Sequence, residues 1–479
     1  MRGTLNQDDV IAFLSRPETY GISGPVETIT THISQVFLAG ERVYKLKRAV
    51  RFPYLDFTDP VRRKRACEDE LRLNRRTAPN LYLEIATVAR ADDGTLALDG
   101  AGETVDWLVV MRRFDQECLF DRLAQADKLT RAHIEELAES VSRFHAEAEV
   151  DRARGGATAM AAIARDLEGG LEAEVAKAAA QIDGRRDAGF VRRCHGDLHL
   201  RNIVLLDGRP TPFDCIEFND DFAVIDVMYD LAFLLMDLEH RDLRELSNAL
   251  MNRTIDLSGD VEGVALLPLF MAIRAAVRAS VSKAQGLGDD VHTFTELRSK
   301  LMAPSAAVLI AVGGLSGSGK STLARALAPG IGRPPGALVV RSDTTRKRLA
   351  GAGLTERLDT NAYTPESARA VYTAMIAIAK AALEAGHSVV LDAVFAKPEE
   401  RDAARGLAKG VNVPFHGLWL DTPLAERERR IGGRIGDASD ATAEVARAQE
   451  SYELGRMDWH RLDAAQDLKT LKDQALSSM

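Results

Sequence analysis

Apolar and polar positions alternate along the first third of the chain and give way to helical spacing in the middle. In THISQVFLAGERVYKLKRAV (31–50) two strand-like runs flank Ala39-Gly40, which predicts a hairpin. A helix is expected around DPVRRKRACEDELRLNRR, followed by strands at LYLEIATVA, TLALDG and TVDWLVVMRRF. From about residue 128 the period lengthens: RAHIEELAESVSRFHAEAE puts Ile134, Leu137, Val141 and Phe144 on one helical face. NIVLLDGRPTPFDCIEF reads as a second hairpin turning at Asp207-Gly208, and helices are expected from about 225 to 302. After Met302-Ala303-Pro304 strands and helices alternate. The buried-strand runs Leu309–Val312, ALVVRSD, HSVVLDAVF and PFHGLWLD are separated by patterns such as ESARAVYTAMIAIAKAALEAG. That alternation predicts an α/β domain with a parallel sheet covered on both faces. A domain boundary is therefore expected near 303, separating 1–303 from 304–479.

Composition narrows the class. At 479 residues the chain exceeds what a single core organises, so two or three domains are expected. A net charge of −9 with no long basic run argues against a general nucleic-acid surface. Cys67, Cys118, Cys194 and Cys215 are scattered, which predicts reduced thiols in place of a disulfide framework or zinc site. The N-terminal MRGTLNQDDVIAFLSRPETYG has acidic residues where a signal peptide needs an apolar run. Arg274 and Arg278 interrupt the most apolar stretch, ALLPLFMAIRAAVRAS. A cytoplasmic protein without membrane association is expected.

Two motifs carry chemistry. In HGDLHLRN, Asp197 is placed to orient an attacking hydroxyl, and Asn202 can hold a metal. Asp214 returns beside them across the short hairpin. VYKLKR offers Lys45 and Lys47 on one strand face as the cation for nucleotide phosphates. Lys45 fits better, because the position two before it is the apolar Val43. Its carboxylate partner is expected in CEDELRL, at Glu68 or Glu70, and Glu70 fits better with Leu73 one turn on. Residues 1 to about 300 thus resemble the aminoglycoside phosphotransferase-like kinases, a small-molecule branch of the protein-kinase fold. The resemblance implies an α+β bilobal domain (lobes about 1–112 and 113–303), ATP and Mg2+, with Asp197 as base and Asn202 and Asp214 on the metal. It also implies Met111 of MRRF at an adenine-binding hinge and Asp230 as a structural aspartate. HISQVFL, in the place of the family's glycine-rich loop, contains no glycine.

The second motif, GGLSGSGKST, follows a predicted strand and opens a predicted helix, the context a P-loop requires. Gly314, Ser316, Gly317, Ser318, Gly319, Lys320, Ser321 and Thr322 would cradle ATP phosphates, with Ser321 and Asp392 on Mg2+. Asp392 is followed by Ala393, so the water-activating glutamate of a hydrolytic motor is missing there. RSDTTRKRLAG instead presents Asp343, able to orient an acceptor hydroxyl, and Arg346, able to hold an anionic part of the substrate. RERRIGGRIGDASDA spaces Arg430 and Arg434 as a lid would need. Residues 305–479 resemble small P-loop kinases of the gluconate kinase, chloramphenicol phosphotransferase and zeta-toxin group. The two halves in this order resemble bacterial fusions of an aminoglycoside phosphotransferase-like kinase with a P-loop domain.

The leading expectation is a bifunctional ATP-dependent phosphotransferase with two centres and small-molecule hydroxyl acceptors. One alternative is a single N-terminal kinase regulated by a P-loop nucleotide sensor. Another is a polynucleotide-end kinase, which the overall acidity disfavours.

Overall fold

The computed structural model describes residues 6–52, 55–433 and 438–479. Packing divides the chain into two units, residues 1–166 with 172–234 and residues 167–171 with 235–479.

In the first unit β1 (Glu27–Thr30), β2 (Ser34–Ala39) and β3 (Arg42–Lys47) are followed by the short pair β4 (Arg51–Phe52) and β5 (Leu55–Asp56). Then come β6 (Tyr82–Arg90), β7 (Leu96–Leu98) and β8 (Glu103–Arg112). The main sheet runs β1-β2-β3-β8-β6-β7, antiparallel throughout. Strand period two sorts its residues. Phe37, Leu46, Leu108 and Val110 pack with Val10 and Leu14 of the helix Gln7–Leu14 on one face. Val109, Met111 and Tyr82 pack on the other, against Cys67 of the helix Pro60–Asn74. Asp59 caps that helix, accepting from Val61 N–H at 2.9 Å, and Pro60 supplies its preset φ at the first position. The register pairs Lys45 with Val109 and Val43 with Met111, so both face that helix.

Below the sheet, the helix Arg131–Glu147 buries Ile134, Leu137, Val141 and Phe144 on one side, the face its periodicity predicts. β9 (Val191–Arg193) pairs with β12 (Val224–Asp226), and β10 (Ile203–Leu206) with β11 (Arg209–Pro212). The β10–β11 turn has both central residues at positive φ, Asp207 at 51° and Gly208 at 78°. Asp-Gly tolerates this pair of angles, and the resulting twist suits a two-residue hairpin.

In the second unit β13 (Leu309–Gly314), β14 (Leu338–Arg341), β15 (Val389–Asp392), β16 (Phe415–Asp421) and β17 (His460–Asp463) form one parallel sheet, ordered β14-β15-β13-β16-β17. All six residues of the central β13 are buried, as a strand covered on both faces requires. The helices Arg244–Ser258, Leu267–Ala284 and Gly288–Met302 group with this sheet, whereas the sequence boundary near 303 assigns them to the first domain. Glu262–Ala284 is long and apolar enough to cross a bilayer, but 72% of its most apolar window is buried within the protein.

Candidate functional sites

The first site forms where the sheet faces β10–β11. Lys45 Nζ lies 2.8 Å from Glu70 Oε1 and 2.7 Å from Asp214 Oδ1. Glu68 is instead an exposed helix charge 3.8 Å from Lys64. Lys47, which the sequence offered as the alternative cation, also reaches Glu70, at 2.5 Å from Oε2, and pairs with Glu217. Glu217 has no counterpart among the expected residues. The only sequence signal for it was an acidic residue three after Asp214. Burial pushes the Glu70 carboxyl up, but the ammonium groups of Lys45 and Lys47 outweigh it and hold the group at about 2. Burial prevails at Glu217, whose carboxyl is raised despite Lys47.

Asp197 Oδ2 accepts from Asn202 Nδ2 at 2.8 Å, and Asp197 keeps 38% of its side chain exposed. The amide is thereby oriented with its oxygen free of that bond. His195 underpins the loop. Its Nε2 is 2.9 Å from Phe213 O, and its Nδ1 is 3.3 Å from the Asp197 N–H. Burial lowers the His195 pKa, so the ring is neutral, donating through Nε2 and accepting at Nδ1. Asp230 accepts from the backbone N–H groups of His195 (3.1 Å) and Gly196 (2.9 Å) and lies 2.9 Å from His145 Nε2. These bonds fix the loop and account for the close approach of His145, Cys194 and Asp230 without a metal. Asp214 sits at φ 60°, its N–H donating to the Tyr82 hydroxyl at 3.2 Å. Met111 is buried at the end of β8, where Arg112 N–H bonds Leu81 O at 2.9 Å. The segment between β1 and β2 is a tight turn closed by Thr31 N–H to Ser34 O at 2.9 Å. Asn202, whose backbone carbonyl accepts from Phe213 N–H at 2.9 Å, and the residue after Phe213, Asp214, offer hard oxygen donors beside Asp197, a pair that fits Mg2+.

The second site lies at the carboxyl ends of the parallel strands. Gly314, Gly317 and Gly319 have φ of 147°, 85° and 97°. A Cβ on Gly317 would come within 2.6 Å of Arg427 O, so the P-loop accepts only glycine there. Lys320 Nζ reaches back to Leu315 O at 3.0 Å, and Ser318 is fully buried. Gln449 grips Ser316 at both ends, accepting its N–H at 2.7 Å and donating to its Oγ at 3.0 Å. Thr322 is exposed on the first turn of the helix Lys320–Leu327.

Ser321 Oγ donates to Asp392 Oδ2 at 2.5 Å, again an oxygen pair that fits Mg2+. Arg341, 4% exposed, contacts both, with Nε 3.3 Å from Asp392 Oδ2 and Nη2 3.2 Å from Ser321 Oγ. Sequence reading passed over Arg341 because it looks like a strand-end charge. Asp343 lies in the first turn of the helix Ser342–Leu349, whose N-cap is Arg341. Burial and the neighbouring Asp392 raise the Asp343 carboxyl against the pull of Arg341 and Lys320. Arg346 donates to Ala362 O at 2.7 Å and stacks 4.8 Å from the Tyr363 ring. Tyr363 Oη donates to Asp440 at 2.6 Å, and Lys347 Nζ lies 3.4 Å from Asp440, which fixes that residue. Arg430 lies across the P-loop, donating to Ser318 O at 3.1 Å and Ala464 O at 2.7 Å. Arg430 belongs to the helix Leu424–Gly432, and Arg434, its expected lid partner, lies outside the described residues.

Residues 39–266 match the family model described as the phosphotransferase enzyme family, and 309–454 match an AAA domain model. An uncharacterized protein of Mycobacterium tuberculosis and one of Mycobacterium bovis are each 30% identical over 474 residues, covering 92% of both chains. Among solved structures, a choline/ethanolamine kinase family protein of Mesorhizobium loti is 15% identical with a TM-score of 0.40, over 62% of this chain and 94% of that one. A gluconokinase of Sinorhizobium meliloti is 22% identical with a TM-score of 0.25, over 36% of this chain and 90% of that one.

Proposed function

Because the chain belongs to one family with these mycobacterial proteins, and is a kinase that joins a phosphotransferase unit to a P-loop unit, we propose that it transfers phosphate from ATP at two separate centres to small-molecule hydroxyl acceptors. The observation that carries this is the same division of labour built twice from unrelated parts. Each centre has a lysine for the phosphates, an oxygen pair suited to Mg2+ and a carboxylate to serve an acceptor hydroxyl.

In the first centre Asp197 takes the acceptor proton as the hydroxyl oxygen bonds the γ-phosphorus and the bond to ADP breaks. Lys45, held by Glu70, neutralises ATP phosphate charge, while Asn202 and Asp214 would hold Mg2+, which offsets charge on the phosphates. In the second, the P-loop N–H groups and Lys320 take the phosphates, and Ser321 and Asp392 would hold the metal. Asp343 serves the hydroxyl, and Arg346 and Arg430 supply positive charge. The raised carboxyl of Asp343 suits a base, and no carboxylate stands in the Ala393–Ala396 segment to activate water.

The test is a metabolite-extract screen with ATP, reading phosphorylated products by mass. Asp197→Ala and Lys320→Ala should each remove one set of products and leave the other. If Lys320→Ala removes no product and only changes the rate of the Asp197-dependent reaction, the P-loop is a nucleotide sensor and the two-centre reading falls.

A further inference from the structure

Among the described residues, strand β14 is an edge of the second unit's sheet, pairing only with β15. An edge strand presents unpaired N–H and C=O groups, and this one is closed by side chains of the helix Arg244–Ser258. Asn248 Nδ2 and Asn252 Nδ2 donate to Ala337 O at 3.0 and 3.2 Å, and Asn252 Oδ1 accepts from Val339 N–H at 2.7 Å. Asn252 thus pairs with the edge as a neighbouring strand would. Gly336 permits this approach, since a Cβ there would come within 2.8 Å of Asn248 Nδ2. Two turns of chain later, Arg348 donates to the helix-end carbonyls of Ile255 (2.9 Å) and Asp256 (3.2 Å).

The same helix brings a carboxylate to the P-loop. Asp256, whose backbone carbonyl accepts from Arg348, lies beside Thr344, whose hydroxyl donates to Arg341 O at 3.3 Å, and burial raises the Asp256 carboxyl against the attraction of Arg341 and Arg348. Arg341 therefore faces carboxylates from three elements: Asp256, Asp343 and Asp392. It also touches Ser321, so its guanidinium contacts the two oxygens suited to a divalent cation. Without Asp256, more of its charge falls on Asp392, where it competes with the metal for the same Oδ2.

We propose that Asn252 and Asp256 are positioning residues of the P-loop centre, acting through β14 and Arg341 on the Ser321–Asp392 pair. The helix that carries them lies inside the segment matched by the phosphotransferase family model, so the second centre borrows an element of the first family's sequence. The inference rests on reading the P-loop as a metal–nucleotide site.

The experiment uses the full chain with Lys45→Ala to silence the first nucleotide site, and measures ATP binding by calorimetry in excess Mg2+ and in EDTA. Asp256→Asn, which keeps the shape and removes the charge, should weaken binding in Mg2+ about tenfold and change binding in EDTA less than about twofold. Asn252→Ala should give the same split with a smaller loss. An unchanged Mg2+ affinity, or an equal loss in both conditions, overturns the proposal. If Asp256→Asn does not fold, the split in Asn252→Ala decides by the same criterion. Lys320→Ala in the same background should abolish binding in both conditions. Its failure to do so would refute the P-loop reading itself and leaves the positioning question distinguishable.

Discussion

Glu70→Gln tests the buried charge network directly. Glu70 is fully buried, its two oxygens facing Lys45 at 2.8 Å and Lys47 at 2.5 Å. Its carboxyl sits at about 2, below the ordinary value of 4.5. A downward shift of this size contributes about 3 kcal/mol of stability to the first unit at neutral pH. The carboxyl is depressed in the folded state, so the contribution is complete above the unfolded value and is lost as pH falls toward 2. At pH 3 about 1–1.5 kcal/mol of it should remain. Glutamine keeps the shape and removes the charge, leaving two buried ammonium groups with Asp214 and Glu217 as counter-ions. Urea unfolding of wild type and Glu70→Gln, followed by a probe in the first unit at pH 7 and pH 3, reads the difference. The expected cost is about 3 kcal/mol at pH 7, shrinking to half or less at pH 3. A cost below about 1 kcal/mol at pH 7, or one that does not shrink in acid, would refute the electrostatic account. Asp197-dependent activity should fall as well, because Lys45 loses the group that aims it.

Lys47→Met strands the buried Glu217 and should cost about 3 kcal/mol, whereas Lys47→Met with Glu217→Gln should recover much of that loss. Additive costs in denaturant unfolding would count against the pairing. Gly317→Ala forces a Cβ toward Arg427 O at a φ of 85° and should weaken nucleotide binding at the P-loop at least tenfold, with the first centre unaffected. Normal affinity by calorimetry would contradict the tight approach. Asp343→Asn should lower kcat of the Lys320-dependent reaction about 10²–10⁴-fold with little change in ATP KM. Because burial raises the Asp343 carboxyl, the acid limb of the wild-type profile should lie above the ordinary carboxylate range and disappear in the variant.

How far the sequence revealed these sites depends on the distance over which each feature is encoded. The HGDLHLRN loop, the Asp-Gly hairpin and the P-loop are local patterns whose spacing dictates their geometry, so Asp197, Asn202, Asp214 and the P-loop glycines could be named from the chain alone. Lys45 and Lys47 could not be separated cleanly, because strand period two puts both on one face, and both do reach Glu70. Helical period, in turn, selected Glu70 over Glu68 by the side of the helix that Leu73 marks as core. What stayed hidden depends on contacts between residues far apart in sequence. Glu217 becomes significant only when β3 and the segment after β11 meet, 170 residues apart. Gln449 meets Ser316 across 133 residues, and Asn252 meets Val339 across 87. Arg341 reads as a solvated charge after a strand until Asp392 and Ser321 arrive around it. The packing of 235–302 with the second unit likewise rests on contacts between distant segments, whereas the boundary near 303 follows a change in local periodicity. The asparagines that close β14 leave no periodic trace, since their partners are backbone atoms that any sequence supplies.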